Sequence, residues 1–215
     1  ITRNWMENGN VISISGNVSK KTTTTLSVYP SQDFFLYTLV ERLKQKGVEV
    51  CRQTYSVCPV DSVQRLFTLR RPIREVLKQA LKESDNLCAE SMFYHLALQD
   101  TLQHGITAEN GTEAVYAFMK EALGFNPEHY KIADGSGVSL YNYVSPRLLL
   151  EYLKYAYYHR EVFLPFYESL PIAGIDGTLK YRMKKTSAYR NVRAKTGSVT
   201  GVSSLAGYAK AANGH

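Results

Sequence analysis

The chain has 215 residues, 44% of them hydrophobic and 21% charged, a composition that suits one large globular domain or two small ones. No apolar run approaches the roughly 20 residues that cross a bilayer, and no basic-then-apolar leader opens at Ile1. Net charge is +7 with a pI near 9.2, but the cations (Lys44, Lys46, Arg70, Arg71, Lys184, Lys185) are scattered. They read as solubilising, and no nucleic-acid partner is expected.

In chain order, residues 10–30 alternate in strand fashion through Val11, Ile12, Ile14 and Val18, then a threonine run to Leu26, Val28 and Tyr29. Ser31 is placed to cap a helix that carries Phe35, Leu39 and Leu43 on one face and ends at Gly47. Residues 48–60 read as extended. Residues 1–64 thus form a small α+β unit. Leu66–Leu69 is expected as a short strand, and Pro72 opens a helix through Leu81. After Ser84-Asp85-Asn86 a second helix carries Leu87, Phe93, Leu96 and Ala97 and closes around Gly105. Thr112 is expected to cap a third, ending at Gly124. Ser145-Pro146 supplies a cap and a first-turn proline for a helix to about His159. Arg190–Lys195 and Ser203–Tyr208 read as strands joined by a turn over Thr196–Gly201, and Ala211–His215 looks like a hairpin turn with no returning strand.

The cysteines are Cys51, Cys58 and Cys88. They show no metal-ligand spacing, so no zinc site is expected. Cys51 and Cys58 could bridge in an oxidising compartment, although buried free thiols are the favoured state. His95, His104, His129 and His159 lie in or near predicted helices with no G-x-S-x-G partner, and read as surface or packed residues.

Three segments carry possible chemistry. Ser84-Asp85-Asn86 suits a helix cap, but a serine hydroxyl there could also relay a proton while the asparagine amide holds a substrate amide. Lys195-Thr196-Gly197, with Ser198 behind it, suits a charged strand running into a turn. It could equally supply positive potential, hydroxyls for a carboxylate and a glycine for close approach. Asp134-Gly135-Ser136-Gly137-Val138-Ser139 is at least a tight turn.

Each tripeptide is weak alone, but S-D-N followed by K-T-G is the order found in active-site serine penicillin-recognising enzymes. With Asp134–Ser139, Val144-Ser145-Pro146, Gly177-Thr178-Leu179 and Val192–Ser203, the chain resembles the D-Ala-D-Ala carboxypeptidase/endopeptidase family called class C penicillin-binding proteins. The resemblance runs from about Arg71 to Tyr208. Upstream, Trp5, Gly9 and the helix at 31–46 resemble the end of an inserted accessory domain.

The resemblance implies an α+β fold: an antiparallel sheet with helices, forming a partial transpeptidase-like domain over 65–215, beside the end of an inserted domain over 1–64. It implies serine-type hydrolysis of peptidoglycan stem peptides through an acyl-enzyme, inhibition by β-lactams, no metal or organic cofactor, and a periplasmic or other extracytoplasmic location. Ser84 would shuttle a proton, Asn86 would bond a substrate amide, and Lys195 would hold the electrostatics. Thr196, Gly197 and Ser198 would bind substrate, with the Ser198 N–H as an oxyanion donor.

The family's nucleophile lies in S-x-x-K, and no serine here has lysine three residues on. Ser19 precedes Lys20 and Lys21, and Ser62 has Arg65 at the third position. Arginine stays protonated and cannot serve as a base. The expectation is therefore of a fragment whose nucleophile motif precedes Ile1 and whose closing strand and last helix follow His215. Unpaired strand edges would then favour homo-oligomers. Two rivals remain: a wall-binding homologue without catalysis, and a β-lactamase, which needs a deacylating carboxylate.

Overall fold

The computed structural model describes residues 1–4, 6–54, 64, 67–98 and 105–211. Trp5, Cys58, Ser62, Arg65, Leu66, His104 and all but Ala211 of the expected closing turn lie outside the described residues, as do residues 55–60 of the extended stretch expected over 48–60. Contacts divide the chain into two compact units, Ile1–Phe67 and Thr68–His215.

In the first unit, β1 (Thr2–Arg3) pairs antiparallel with β2 (Ile12–Ser13). Of the strands expected across residues 10–30, only Ile12–Ser13 forms, and its partner lies upstream of them. Val11, Ile14 and Val18 are exposed, so alternation here has no core face to bury, and a strand without one is weakly specified. Side chains take over the pairing. Asn10 donates from Nδ2 to the Tyr29 carbonyl at 2.6 Å and accepts from the Tyr29 N–H at 2.8 Å. The Arg3 guanidinium reaches the Gly9 carbonyl at 2.8 Å.

Helix α1 (Ser31–Gln45) starts one residue earlier than expected, with Pro30 rather than Ser31 at the cap position. Its half-buried stripe is Leu36, Val40 and Leu43; Phe35 and Leu39 are exposed. The helix ends as expected: Gly47 N–H bonds the Lys44 carbonyl and Val48 N–H the Leu43 carbonyl, the paired bonds of a Schellman cap. Residues 48–54 form no strand.

The second unit is helical until its last third. Residues 67–70 are not a strand, and Pro72 caps α2 (Ile73–Lys82). Helix α3 (Asn86–Leu96) follows directly. Helix α4 (Ala108–Glu121) is capped by Thr107, not Thr112. The Asn110 side chain reaches back to the Thr107 N–H at 3.0 Å, while Thr112 sits inside the helix and bonds the Ala108 and Ile132 carbonyls. Helix α5 (Pro146–Tyr158) starts as expected, with Ser145 Oγ accepting from Leu148 N–H at 3.1 Å. Helix α6 (Arg160–Ser169) leads to a 3-10 turn at Gly177–Leu179, and the hairpin β3 (Arg193–Val199) and β4 (Val202–Tyr208) closes the unit.

Helix α2 packs on α3 and α6, α3 on α4, and α5 on α6 and β4. Among the described residues, the buried hydrophobic side chains are Ala80, Phe93, Ala97, Met119, Leu148, Ala156, Leu170, Ala173, Leu179 and Ala194, all in this unit. Tyr208 packs its ring on Phe163 and Tyr167 and donates its hydroxyl to the Leu153 carbonyl at 2.7 Å, which pins β4 to the helices.

Candidate functional site

Helix α2 gives way to α3 in three residues. Glu83 caps α2, Ser84 holds a left-handed backbone at φ +57°, and Asp85 caps α3. The left-handed residue is what reverses the chain at a helix C-terminus. The capping expectation for the tripeptide therefore falls on its middle residue alone. Asp85 Oδ1 accepts from Cys88 N–H at 3.0 Å, and Gln79 Nε2 lies 3.3 Å from Oδ2. These bonds, the Cys88 N–H foremost, hold the Asp85 carboxyl below the usual aspartate range. Asn86 is the first residue of α3 and exposed.

Lys195-Thr196-Gly197-Ser198 lies inside β3, not in a turn: the register pairs Lys195 with Ala206 and Ser198 with Ser203, and the loop shrinks to Thr200-Gly201. Alternation along a strand puts Lys195 on one face and Thr196 with Ser198 on the other. Across 111 residues of sequence, Lys195 Nζ donates to Ser84 Oγ at 2.7 Å. It also donates to the Thr196 carbonyl at 2.7 Å. The ammonium occupies one acceptor position of the Ser84 hydroxyl, whose own proton must therefore point elsewhere.

Behind Lys195 opens an apolar cavity of about 710 Å³, lined also by Leu96, Phe118, Tyr152, Val162 and Phe166. Burial there lowers the Lys195 ammonium below the ordinary lysine value, because low polarity disfavours the charged form.

The structure thus brings Ser84 and Lys195 into contact, with Thr196 beside them. Thr196 Oγ1 donates to Thr178 Oγ1 at 2.9 Å, a partner that sequence reasoning noted only within the Gly177-Thr178-Leu179 resemblance. The space a side chain at Gly197 would take is filled by Ser204 Oγ, 2.4 Å from the ideal Cβ position. Ser198 is exposed.

The Asp134–Ser139 run is a self-bonded loop. The Asp134 carboxylate accepts from the Gly137 and Ser139 N–H groups, each at 2.6 Å, and from Asn142 Nδ2 at 2.9 Å. Glu90 of α3 accepts from the Gly135 and Ser136 N–H groups at 3.2 and 3.0 Å. Glu90 was missed in the sequence, although it lies one helical turn after Asn86.

His95 and His159 each bond a carbonyl one turn back on their own helix, and His129 is exposed. Cys51 is a free, exposed thiol rather than a buried one, and Cys88 is free and half-buried. Among the described residues no group of three or more His, Cys, Asp and Glu could hold a metal ion, and no helix is long and apolar enough to cross a membrane.

A Ser-x-Asn elbow between helices facing a Lys-Thr-Gly strand is the arrangement of the active-site serine penicillin-recognising enzymes, and here one lysine–serine hydrogen bond joins the two. The chain belongs to the D-Ala-D-Ala carboxypeptidase 3 (S13) family, whose sequence profile matches residues 2–215. It is 36% identical over 149 residues to the D-alanyl-D-alanine carboxypeptidase DacB of Haemophilus influenzae, covering 68% of this chain and 30% of that protein. The carboxypeptidase DacB of Mycolicibacterium smegmatis is 37% identical over 141 residues, 63% of this chain and 30% of that one. The crystal structure of penicillin binding protein 4 from Haemophilus influenzae, complexed with a β-lactam, superposes with a TM-score of 0.72 at 31% identity. That match covers 87% of this chain and 43% of the other. The chain thus spans about a third of the length of these curated relatives.

Proposed function

We propose that these 215 residues supply the proton relay and the carboxylate-binding strand of a serine-type D-Ala-D-Ala carboxypeptidase acting on peptidoglycan stem peptides. The hydrogen bond from Lys195 Nζ to Ser84 Oγ at 2.7 Å carries the reading. It unites two motifs that are weak apart and leaves one hydroxyl proton for transfer to a leaving amine. Lys195 supplies a desolvated positive field, which stabilises developing negative charge more strongly than it would in water. Thr196 and Ser198, on one strand face, bind the terminal carboxylate of the peptide. Asn86 bonds the substrate's amide, and the Ser198 N–H serves the oxyanion.

No serine within the 215 residues carries S-x-x-K, so the nucleophile is assigned outside them. The substrate places the protein outside the cytoplasmic membrane, and β-lactams are its acylating inhibitors. The first unit is read as the end of an accessory domain inserted ahead of the Ser84 elbow.

The test is intact-mass analysis after incubation with a penicillin, run on the 215-residue chain and on the complete product of its gene. An adduct on the complete product alone is the expected outcome. An adduct on the 215 residues overturns the assignment of roles, because one of their own serines is then the nucleophile. No adduct on either overturns the enzyme reading in favour of a wall-binding protein.

A further inference from the structure

Lys82 is the last residue of α2 and is buried, with 8% of its surface exposed. A lysine in that position needs a partner, and its Nζ lies 2.5 Å from Asp176 Oδ2. The other oxygen of Asp176 accepts from the Ile172 N–H at 2.8 Å, so both ends of the carboxylate are fixed.

The pair touches both walls of the site. Two residues beyond Lys82 the chain reaches Ser84 in its left-handed conformation. One and two residues beyond Asp176 come Gly177 and Thr178, and the Thr178 hydroxyl bonds Thr196, the neighbour of Lys195. Gly177 holds φ +53°, and a Cβ there would stand 2.7 Å from the Lys82 carbonyl. The turn is therefore pressed against the end of α2, with Leu179 fully buried behind it.

We propose that the Lys82–Asp176 ion pair is a positioning device that locks the α2 terminus to the Gly177–Leu179 turn and so sets Ser84 against Lys195. Neither residue touches the reacting atoms in this scheme. The proposal rests on the reading of Ser84 and Lys195 as working partners. Its physical logic is that two segments 94 residues apart share one charge pair whose lysine is buried and whose carboxylate is half-buried. Such a pair has one good geometry and a steep penalty for losing either half.

The test is a lysine-selective carbon NMR titration of the 215-residue chain, with Lys195→Arg to assign the Lys195 resonance. In the native protein Lys195 should titrate below the ordinary lysine value, because it is buried beside Ser84. In Asp176→Asn the elbow loosens, water reaches the ammonium and replaces Ser84 as acceptor, and the titration should move up towards the ordinary value. Asp176→Glu keeps both charges, lengthens the link by one methylene and guards against loss of fold in the first variant. It should move Lys195 in the same direction by less. Circular dichroism matching the native protein establishes that a variant is folded.

A Lys195 titration unchanged in either folded variant overturns the proposal, whereas a stability loss alone leaves Lys195 where it was. Penicillin acylation of the complete gene product separates the two readings. Acylation with an unmoved Lys195 overturns the positioning role alone. A shifted Lys195 with no acylation overturns the carboxypeptidase reading and upholds the positioning role.

Discussion

Ser84 is where backbone strain and chemistry meet, and two substitutions separate them. Its φ of +57° is a conformation that costs a residue with a side chain about 1–2 kcal/mol. Glycine adopts it freely but gives up about 0.5–1 kcal/mol in extra chain entropy. Ser84→Gly and Ser84→Ala both delete the oxygen that accepts from Lys195 at 2.7 Å, so that loss cancels between them. The glycine variant should therefore be the more stable by about 0.5–1 kcal/mol. Against the native protein, the missing hydrogen bond costs either variant about 1 kcal/mol. Alanine should thus fall below the native protein and glycine lie close to it. Urea unfolding followed by far-UV circular dichroism reads the difference, provided the slopes agree. In a thermal scan it amounts to about 1–4 °C for a domain of this size. Both variants should lose the proton relay in the complete gene product. An alanine variant as stable as the glycine variant would refute the reasoning, because the elbow would then not hold Ser84 left-handed.

Two further predictions concern the hairpin that carries Lys195. Gly207 faces Ala194, and a Cβ there would stand 2.1 Å from the Arg193 carbonyl and 2.5 Å from Ala194 Cα. Because backbone cannot yield as a side-chain tip does, Gly207→Ala should cost about 1–3 kcal/mol in the same urea assay. Burial pushes the Tyr208 phenol up to about 12. The unfolded chain therefore sheds this proton first as pH rises, and stability should be full below the ordinary tyrosine value and decline towards the folded one. Tyr208→Phe should cost about 0.5–1.5 kcal/mol at neutral pH through its lost bond to Leu153. It should also make the alkaline decline shallower without abolishing it, since Tyr152 is likewise pushed up to about 12. Urea midpoints from about pH 9 to about pH 12 check both effects.

What the sequence shows plainly is the part of the fold written in local chemistry. Ser145-Pro146 and Gly47 mark a helix start and a helix end through their own hydrogen bonds, so they can be read without knowing what packs where. Residues 10–30 mislead for the opposite reason. Their alternation is real, but Val11, Ile14 and Val18 meet no core, and pairing passes to the side chains of Asn10 and Arg3. Thr112 looks like a cap and serves mid-helix, because its hydroxyl can back-bond to Ala108. In the candidate site, Ser84 and Lys195, which the structure joins by a hydrogen bond, could be singled out because two tripeptides stand in the order of a known enzyme class. Lys82, Glu90 and Asp176 could not, since each acts through a partner at least 45 residues away, and no local pattern announces a tertiary contact.

Those three residues show how an elbow with a strained residue can stay fixed. A left-handed serine between two helices has no hydrogen-bond ladder of its own to hold it, so rigidity must come from its flanks. On the α2 side the flank is the Lys82–Asp176 pair, with its lysine buried and its carboxylate half-buried. On the α3 side Asp85 caps the helix, and Glu90 fastens that helix to the Asp134–Ser139 loop through two backbone N–H groups. The loop is kept in shape for this by the Asp134 carboxylate. The segments on both sides of Ser84 are thus fastened by carboxylates that bond other groups, while the Ser84 hydroxyl oxygen accepts from Lys195. On the proposed reading of Ser84 as a proton relay, its hydroxyl is left for the transfer, and the anchoring falls to its neighbours Lys82, Asp85, Glu90 and Asp176.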